Sequence, residues 1–349
     1  MAMNRFAWAS AKTVAEAAAA STPVADAMAA ASDARGRDPI TVVKAGGIDL
    51  LDLLKENLLA PGTVMSLQGI PGLDAIAEKP DGGWRIGAMV TLARLADHPV
   101  LRQRLPALAD AVQGSASPQI RNVATLGGNL LQRPRCWYLR AEDYPCLRKG
   151  GDHCFAIFGE NQYHAIFDNG HCAIVHPSTT ATALVALGAM VELTNVKGAV
   201  RRVRLEDFFV PPDKDVHREN DLRAHEILTA ILLPPLPADV RMAHLKQGER
   251  DSFDWPLADV AVVLDLGQEG TCRRAAVILG AAAPVPHRAR TAEAALTGRR
   301  IDEAAARDAG HASLDGAVPL AKNAYKLPLF EVLVRRAILQ AVASPMKGG

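Results

Sequence analysis

The sequence lacks a large net charge of either sign, and it also lacks any long apolar run. Its 39 lysine and arginine residues almost balance 38 aspartate and glutamate residues, so its charge gives no reason to expect binding to nucleic acid or to an anionic membrane. No run of about 20 apolar residues is present, which predicts no transmembrane helix. The N-terminal stretch MAMNRFAWASAKTVAEAAAAS also lacks the compact apolar core of a signal peptide, since Lys12 and Glu16 interrupt it. We therefore expect a cytoplasmic location by default.

Two common catalytic signatures are missing as well. There is no G-x-S-x-G elbow, so acyl hydrolysis has no support, and there is no Walker-type phosphate loop. The composition is otherwise that of an ordinary soluble globular protein, with 49% hydrophobic and 22% charged residues. A chain of 349 residues is long enough for two or three domains.

Cysteine is scarce, but its placement is informative. Of five cysteines, four fall in one window with the spacing C-x9-C-x7-C-x17-C: Cys136, Cys146, Cys154 and Cys172. This is neither the paired spacing of a zinc finger nor the compact run of a ferredoxin. The spacing therefore leaves open an iron–sulfur cluster, a zinc site, or unrelated free or disulfide-bonded cysteines. The fifth, Cys272, lies in a strand pattern and is predicted to be a core residue.

Charged and imidazole side chains crowd the same window. The basic residues could offset the negative charge of a thiolate cluster, or they could form a solvated surface; they are Arg133, Arg135, Arg140, Arg148 and Lys149. The histidines are interpreted as packing or cofactor-pocket residues rather than as cluster ligands, although histidine does replace cysteine in some clusters. They are His153, His164, His171 and His176.

Two glycine-rich turns stand out, and the first precedes a predicted helix. The first, Lys44-Ala45-Gly46-Gly47-Ile48-Asp49, follows a predicted strand at 40–43 and leads into a helix at 50–59. The second contains Gly127, Gly128 and Asn129, directly before the cysteine window. In this arrangement, backbone N–H groups and a helix N-terminus can bind a pyrophosphate. The spacing is not that of a Rossmann G-x-G-x-x-G unit, so the first turn taken alone is more typical of an ordinary turn than of a cofactor site.

The periodicity of the chain predicts an α+β fold. The first 40 residues are predicted to contain few strands, a helix at 13–20 and a polar connection (SDARGRDP). Strands are then predicted at 40–43, 63–67, 84–89 and 226–233, and a hairpin is predicted around Lys197-Gly198. Helices are predicted at 91–99, 105–112, 179–187 and 206–209. After a proline cluster (Pro234, Pro235, Pro237), strands at 242–246, 258–266 and 272–279 predict a three-stranded antiparallel sheet. Helices at 288–296, 302–311 and 325–342 are predicted to cover it.

Several of these strings together resemble one family, the FAD-binding medium subunits of the molybdenum hydroxylases (xanthine dehydrogenase, aldehyde oxidoreductase and carbon monoxide dehydrogenase). The family's first flavin motif, AGGTDLL, is similar to AGGIDLL at 45–51, and its second, QIRNxATxGGNL, to QIRNVATLGGNL at 119–130. RIGAMVTLARL, LGAAAPVPHRA and KNAYKLPL also resemble family strings. The resemblance covers nearly the whole chain.

The resemblance implies a fold with defined parts. A two-lobed FAD-binding region of PCMH type would span residues 1–235, with a first lobe at 1–60 and a second at 61–235. A small C-terminal domain, a three-stranded antiparallel sheet with a helical cluster, would span 240–345. The implied FAD-binding residues are Lys44, Ala45, Gly46, Gly47, Ile48, Asp49, Leu50, Thr91, Ala124, Thr125, Gly127, Gly128, Asn129 and Lys246.

The cysteine window resembles one branch of this family, which includes the periplasmic aldehyde oxidoreductase flavoprotein and the flavin subunit of 4-hydroxybenzoyl-CoA reductase. The strings RCWYLR, ENQYHAIF and FDWPLADVAV are similar to that branch. The resemblance implies a 4Fe–4S cluster in an insertion at 132–176, with Cys136, Cys146, Cys154 and Cys172 as ligands. Two positions depart from the family: Ile48 stands in place of threonine and Thr179 in place of aspartate.

The function implied is electron transfer inside a larger oxidoreductase. A molybdenum-cofactor large subunit would oxidise the substrate, and a small subunit with two 2Fe–2S clusters would pass electrons to this chain's FAD and on to an acceptor, with aldehyde oxidation as the favoured reaction. No catalytic acid or base is nominated. The alternatives are a flavin subunit of an aromatic-CoA reductase or xanthine dehydrogenase-like enzyme, a free-standing FAD oxidoreductase, and a non-enzymatic iron–sulfur or zinc scaffold. A partner with an export signal would carry the subunit to the periplasm.

Overall fold

A computed structural model describes residues 4–32, 40–237, 240–250 and 252–343, and it has three β-sheets with helices packed between and around them. The strands are β1 (Ala7–Ser10), β2 (Thr41–Lys44), β3 (Thr63–Ser66), β4 (Ile76–Glu78), β5 (Trp84–Gly87), β6 (Met190–Asn195), β7 (Val200–Arg204), β8 (Glu226–Leu233), β9 (Val240–Gln247), β10 (Ala258–Leu266), β11 (Cys272–Gly280) and β12 (His287–Arg288).

The helices are short, apart from the last. They are α1 (Val14–Ala20), α2 (Val24–Ser32), α3 (Ile48–Lys55), α4 (Leu92–Asp97), α5 (Pro99–Arg104), α6 (Pro106–Gln113), α7 (Pro118–Arg121), α8 (Leu126–Leu130), α9 (Trp137–Arg140), α10 (Phe155–Phe158), α11 (Thr179–Ala186), α12 (Leu205–Phe208), α13 (Arg290–Leu296), α14 (Glu303–Ala312) and α15 (Lys326–Ala343). The α+β class predicted from the sequence is confirmed.

The first sheet is parallel, with the strand order β1-β3-β2. The apolar face of α3 packs with Val42 and Val64 in one buried cluster. This packing fixes the turn that joins β2 to α3. β3 begins at Thr63, past the predicted lobe boundary at residue 60, yet it is the central strand of this sheet.

The second sheet has the order β4-β5-β8-β6-β7 and is antiparallel. Its core includes Ile86, Val191 and Ile231, all fully buried, and helices α4, α6 and α11 contribute to the same apolar cluster. The predicted hairpin is present, and Gly198 takes the positive φ of 76° that its turn requires. This sheet supports the second glycine-rich turn through α4 and α8.

The third sheet, β12-β11-β10-β9, is antiparallel and is covered by α13, α14 and α15. The three predicted strands form, and a two-residue strand, His287–Arg288, pairs with β11 as a fourth. The helix predicted from residue 288 therefore begins at Arg290. Cys272 is 1% exposed in β11, which confirms its assignment to the core.

Residues 131–176 contain little regular structure. Two single-turn helices, α9 and α10, and a 3-10 turn at Leu147–Lys149 are separated by loops. The segment is attached to the C-terminal part by Asn323, whose Nδ2 donates to His164 O at 3.0 Å and Ala165 O at 3.1 Å. Buried Lys326 adds a hydrogen bond from Nζ to Tyr163 O at 3.2 Å.

The structure corrects the sequence interpretation near the N-terminus. The start is not strand-poor, because Ala7–Ser10 pairs in parallel with β3. Strand β4 and helix α2 are further elements that the sequence patterns did not indicate. Residues 33–39 of the polar connection lie outside the described residues. The proline cluster at 234–237 does join β8 to β9, but the domain division drawn there stays a prediction.

Phe330 and Phe158 offer a matched test of the C-terminal core. Phe330 of α15 is 0% exposed, whereas Phe158 of α10 is 98% exposed. Truncating Phe330 to alanine removes buried apolar surface and leaves a cavity, so we expect Phe330→Ala to lower the free energy of unfolding by about 3–5 kcal/mol. Phe158→Ala should change it by less than about 0.5 kcal/mol. Urea denaturation followed by circular dichroism measures both; equal losses would contradict the assigned core.

Candidate functional site

A cleft of about 730 Å³ is lined by elements of all three sheets. The turn after β2 and the start of α3 line one part, and the second glycine turn with α8 lines another. Residues at the end of β9 and in the loop before β10, among them Lys246, Phe253 and Trp255, contribute from the C-terminal part. A cleft of this size and mixed polarity is suited to a large organic cofactor.

The first glycine turn is built for close backbone approach. A Cβ atom on Gly46 would lie 2.2 Å from the carbonyl oxygen of Val123, so only glycine lets this turn contact the segment before the second turn. Gly47 has φ of 89° and occupies the N-cap of α3, where no side chain caps the helix. The backbone N–H groups at this helix start are therefore available to an anionic ligand group.

The second glycine turn is held in place by its contact with the end of β5 and by a hydrogen bond to the side chain of Thr125. A Cβ on Gly127 would lie 2.9 Å from Ala88 O, so glycine allows α8 to sit directly on the strand end. Thr125 caps α8, accepting a hydrogen bond from Gly128 N at 3.2 Å. The two turns are thus in contact and open into the same cleft.

Polar groups on the floor of the cleft are mostly paired within the protein. Asn129 Oδ1 accepts hydrogen bonds from the hydroxyls of Ser178 and Thr180, which ties α8 to α11. The Thr179 hydroxyl contacts that of Ser115, so this departure from the family's aspartate leaves a neutral pair there. Lys246 Nζ donates to Gly114 O at 2.8 Å, and burial lowers its pKa.

The structure places most of the sequence-predicted cofactor residues together. Twelve of the fourteen line the cleft: Ala45, Gly46, Gly47, Ile48, Asp49, Leu50, Ala124, Thr125, Gly127, Gly128, Asn129 and Lys246. Lys44 is not among the lining residues, and its ammonium lies 5.7 Å from the centroid of the Trp8 ring. Thr91 lies behind the second turn, bridging to Thr125 and capping α4.

Two exposed aromatic residues at the cleft were not identified as site residues from the sequence. Phe253 and Trp255 are 54% and 52% exposed, and their rings lie 5.6 Å from the guanidinium of Arg121 and 4.8 Å from that of Arg135, respectively. Both residues belong to the string FDWPLADVAV. The similarity of that string to other flavoproteins was the sequence signal that could have identified them as site residues.

The four clustered cysteines line one small pocket of about 10 Å³. None forms a disulfide. Burial raises the pKa of Cys136 to about 12 and also raises that of Cys146. The Cys154 thiol donates to Cys172 and, with Arg148 nearby, lowers the pKa of Cys172 to about 6, while the same contact raises the pKa of Cys154.

Three of these cysteines occupy helix-start positions. Cys136 is the N-cap of α9, Cys146 that of the 3-10 turn, and Cys154 that of α10. Backbone N–H groups following each cysteine interact with its sulfur and oppose the rise in pKa caused by burial or by the neighbouring thiol. Such N–H groups stabilise thiolates, which are the form that binds metal.

Within the described ranges, no three His, Cys, Asp or Glu side chains are placed to hold one metal ion. A polynuclear cluster makes a different demand, because each of its thiolate ligands binds a different iron. The four sulfurs at one pocket, free of disulfides and facing backbone N–H groups, are compatible with such a cluster. His164 Nε2 lies 3.2 Å from Cys136 Sγ.

The remaining histidines have distinct surroundings. His164 and His176 are buried, and burial lowers the pKa of His164 to about 4 and that of His176 to about 3. His176 Nδ1 accepts a hydrogen bond from Ser178 N at 3.3 Å, so it is a packing residue as predicted. His153 and His171 are exposed.

Carboxylates of α3 connect the cleft to the cysteine window. Asp49 Oδ2 accepts a hydrogen bond from Arg133 N at 2.9 Å, and its Oδ1 lies 2.7 Å from Arg140 Nη2 and 2.8 Å from Arg135 Nη2. Asp52 pairs with the same two arginines at 3.0 and 3.2 Å. Arg133 and Arg148 are 2% and 4% exposed, so the alternative of a solvated basic surface does not apply to these two residues.

The chain belongs to the family of FAD-binding subunits of the molybdenum hydroxylases. Residues 4–236 match the family described as "FAD binding domain in molybdopterin dehydrogenase", and residues 243–341 match "CO dehydrogenase flavoprotein C-terminal domain". The protein is therefore an FAD-binding oxidoreductase subunit. No described helix is sufficiently long and apolar to span a bilayer.

Individual relatives agree with this assignment. The chain is 36% identical over 301 residues to the aldehyde oxidoreductase FAD-binding subunit PaoB of Escherichia coli, covering 86% of this chain and 89% of that protein. It is 29% identical to the nicotine 6-hydroxylase medium subunit of Paenarthrobacter nicotinovorans, covering 90% and 94%. The structure aligns with carbon monoxide dehydrogenase from Hydrogenophaga pseudoflava at a TM-score of 0.72 and 25% identity, covering 98% of this chain and 99% of that one.

Gly46 provides a direct test of the cleft. In Gly46→Ala the new Cβ would meet a backbone carbonyl that cannot rotate away, so the two glycine turns must separate. Overpacking of this kind costs about 1–3 kcal/mol, and we expect FAD to bind about tenfold more weakly or worse. Gly170→Ala is the matched control, since nothing lies within 4 Å of its added Cβ. The FAD content of each purified variant is measured by the fluorescence of the flavin released from it. Full FAD occupancy in Gly46→Ala would place the cofactor outside this cleft.

Proposed function

We propose that this chain is the electron-transfer subunit of a molybdenum-cofactor hydroxylase, and that its FAD passes electrons from the 2Fe–2S clusters of a small subunit to an acceptor. The observation that carries the proposal is the contact of two glycine turns across one cleft, with uncapped N–H groups of α3 at its edge. The partner subunit that holds molybdenum would oxidise the substrate with oxygen taken from water. This chain would supply cofactor position and electrostatics.

The cleft residues fit the separate parts of FAD. The pyrophosphate would lie against the starts of α3 and α8, where Gly46, Gly47 and Gly127 give backbone access. The isoalloxazine would approach the C-terminal part, where Lys246 is held by Gly114 O. Ile48 replaces a hydroxyl-bearing residue of the family, but the backbone donors of the turn are unaffected by this change.

We further propose that Cys136, Cys146, Cys154 and Cys172 bind a 4Fe–4S cluster. Their convergence on one pocket, their N–H neighbours and the absence of disulfides among them support it. A cluster is larger than the pocket of about 10 Å³, so its binding requires the four sulfurs to move apart. Residues 131–176 consist of short helices and loops. Their rearrangement would break few backbone hydrogen bonds of regular structure, so the sulfurs can move apart at low cost.

Aldehyde oxidation is the reaction we propose for the complex. The support is the 36% identity to the Escherichia coli aldehyde oxidoreductase subunit. Such a reaction would convert an aldehyde and water to a carboxylate and three protons, and it would release two electrons for the FAD to pass on. The large subunit would set the substrate, and the complex would be cytoplasmic, or periplasmic if a partner carries an export signal.

The iron content of the purified chain tests the cluster. We expect one FAD and about four irons with acid-labile sulfide per chain, measured after anaerobic purification and accompanied by an electron paramagnetic resonance signal on reduction. Cys146→Ser should lower the iron while leaving FAD largely bound. Cys272→Ala is the matched control, since Cys272 lies in the core of the third sheet, and it should keep its iron. FAD without iron would make the four cysteines structural, and zinc in place of iron would also contradict the proposal.

Lys246 tests the position of the flavin ring. A cation close to the isoalloxazine stabilises its reduced, more negative form. We therefore expect Lys246→Met to lower the flavin midpoint potential, measured by spectroscopic redox titration. Lys197→Met, in the exposed turn of the β6–β7 hairpin, should leave it unchanged. An unaltered potential in Lys246→Met would place the ring away from the end of β9.

A further inference from the structure

The basic residues around the thiol pocket differ in how their charges are matched. Arg135 and Arg140 each pair with Asp49 and Asp52, and Arg133 pairs with Glu219 at 2.7 Å. Lys149 donates to the carbonyl oxygen of Ala141 and is only half-buried. Arg135 keeps one unpartnered nitrogen, Nε, but it does not line the thiol pocket, and Asp49 and Asp52 together balance its charge and that of Arg140. Four of the five basic residues therefore have their charge matched, or their donors bound, by groups other than the cysteines.

Arg148 is the exception. It is 4% exposed and lines the thiol pocket beside Cys172. Its Nη1 donates to Glu219 Oε1 at 2.7 Å, while Nε and Nη2 are buried and no atom in the described part of the chain completes a hydrogen bond of good geometry with them. The guanidinium does interact with the neighbouring Cys172 sulfur and helps to lower the pKa of that thiol. Buried donors without partners are rare in native proteins and call for an explanation.

The carboxylate of Glu219 is shared, which leaves positive charge in the interior. Arg133 binds the same carboxylate through Nε and Nη2, so two buried guanidinium groups face one carboxylate. A buried guanidinium stays charged, and it is costly unless an anion balances it. The ligands next to Arg148 that can supply negative charge are the four cysteines, once they are thiolates.

We propose that Arg148 is the buried counter-ion of the four-thiolate site, a positioning residue whose free N–H groups donate to cluster or thiolate sulfur and raise the reduction potential of the cluster. This inference rests on the proposed 4Fe–4S site. Each electron added to such a cluster makes it more negative, and a fixed cation therefore stabilises the reduced form more than the oxidised form. Hydrogen bonds to the sulfurs and net charge are the properties by which a protein sets this potential.

Two substitutions separate the charge of Arg148 from its hydrogen-bonding geometry. Arg148→Gln removes the charge but leaves Glu219 paired with Arg133, and Arg148→Lys keeps the charge without the planar fork of donors. Lys149→Gln is the matched control, because this neighbouring cation is half-exposed and screened by solvent. The protein used is the full chain purified anaerobically, and the midpoint potential is measured by redox titration monitored by electron paramagnetic resonance.

We expect Arg148→Gln to shift the reduction equilibrium about tenfold toward the oxidised cluster, a decrease of about 59 mV for a one-electron couple. The potential of Arg148→Lys should lie between those of Arg148→Gln and the unmodified chain. Lys149→Gln should lower the potential by less than half as much as Arg148→Gln. Equal potentials in Arg148→Gln and the unmodified chain, or a larger effect of Lys149→Gln, would overturn the inference.

Iron content distinguishes the remaining outcomes. An unmodified chain without iron removes the proposed cluster itself, whereas iron with an unchanged potential in Arg148→Gln removes only the role of Arg148. Loss of iron in Arg148→Gln with retention in Arg148→Lys supports the counter-ion role, since the charge alone then restores the site. Loss of iron in both variants would overturn that role and assign Arg148 to folding of the loop.

Discussion

The contact between the two glycine turns is the constraint on which the rest of the structure depends. One turn belongs to a parallel sheet and the other to a helix seated on an antiparallel sheet, and they meet where Gly46 faces the carbonyl of Val123. Any side chain at that point would separate the two sheets. The buried clusters under each sheet hold the turns at this distance. The cleft is thus a consequence of how two independently packed layers are brought together.

The same region also connects the cleft to the cysteine window. The carboxylates of Asp49 and Asp52 lie on the helix that follows the first turn, and the arginines of residues 131–176 bind them. The helix therefore presents its backbone N–H groups to the cleft and its acidic side chains to the thiol segment.

Much of the fold follows from local sequence signals. The strands at 226–233 and 258–266 have the predicted bounds, because long apolar runs end at proline or glycine in both cases. Strand β1 was missed because it is short and largely exposed, and β12 because two residues carry no periodicity. The two glycine motifs led to eleven of the residues that line the cleft, and Lys246 is the twelfth predicted residue found there.

The electrostatic arrangement could not be inferred in the same way. Asp49 and Arg135 are distant in sequence, and no periodicity connects them. Clustering of four cysteines within one window predicted their proximity, but not that three would start helical turns. The burial of Arg148 and Lys326 could not be predicted from the sequence either, because charged residues are normally exposed. These features depend on tertiary packing.

The attachment of the thiol segment to the C-terminal part has a consequence for the order of biosynthesis. Asn323 and Lys326 hold the carbonyls of Tyr163, His164 and Ala165, and they are translated long after the cysteines. While the chain is still on the ribosome, the thiol segment has no such anchor. These three hydrogen bonds can form only after Lys326 has been synthesised, so a cofactor inserted before that point would enter a segment that lacks them.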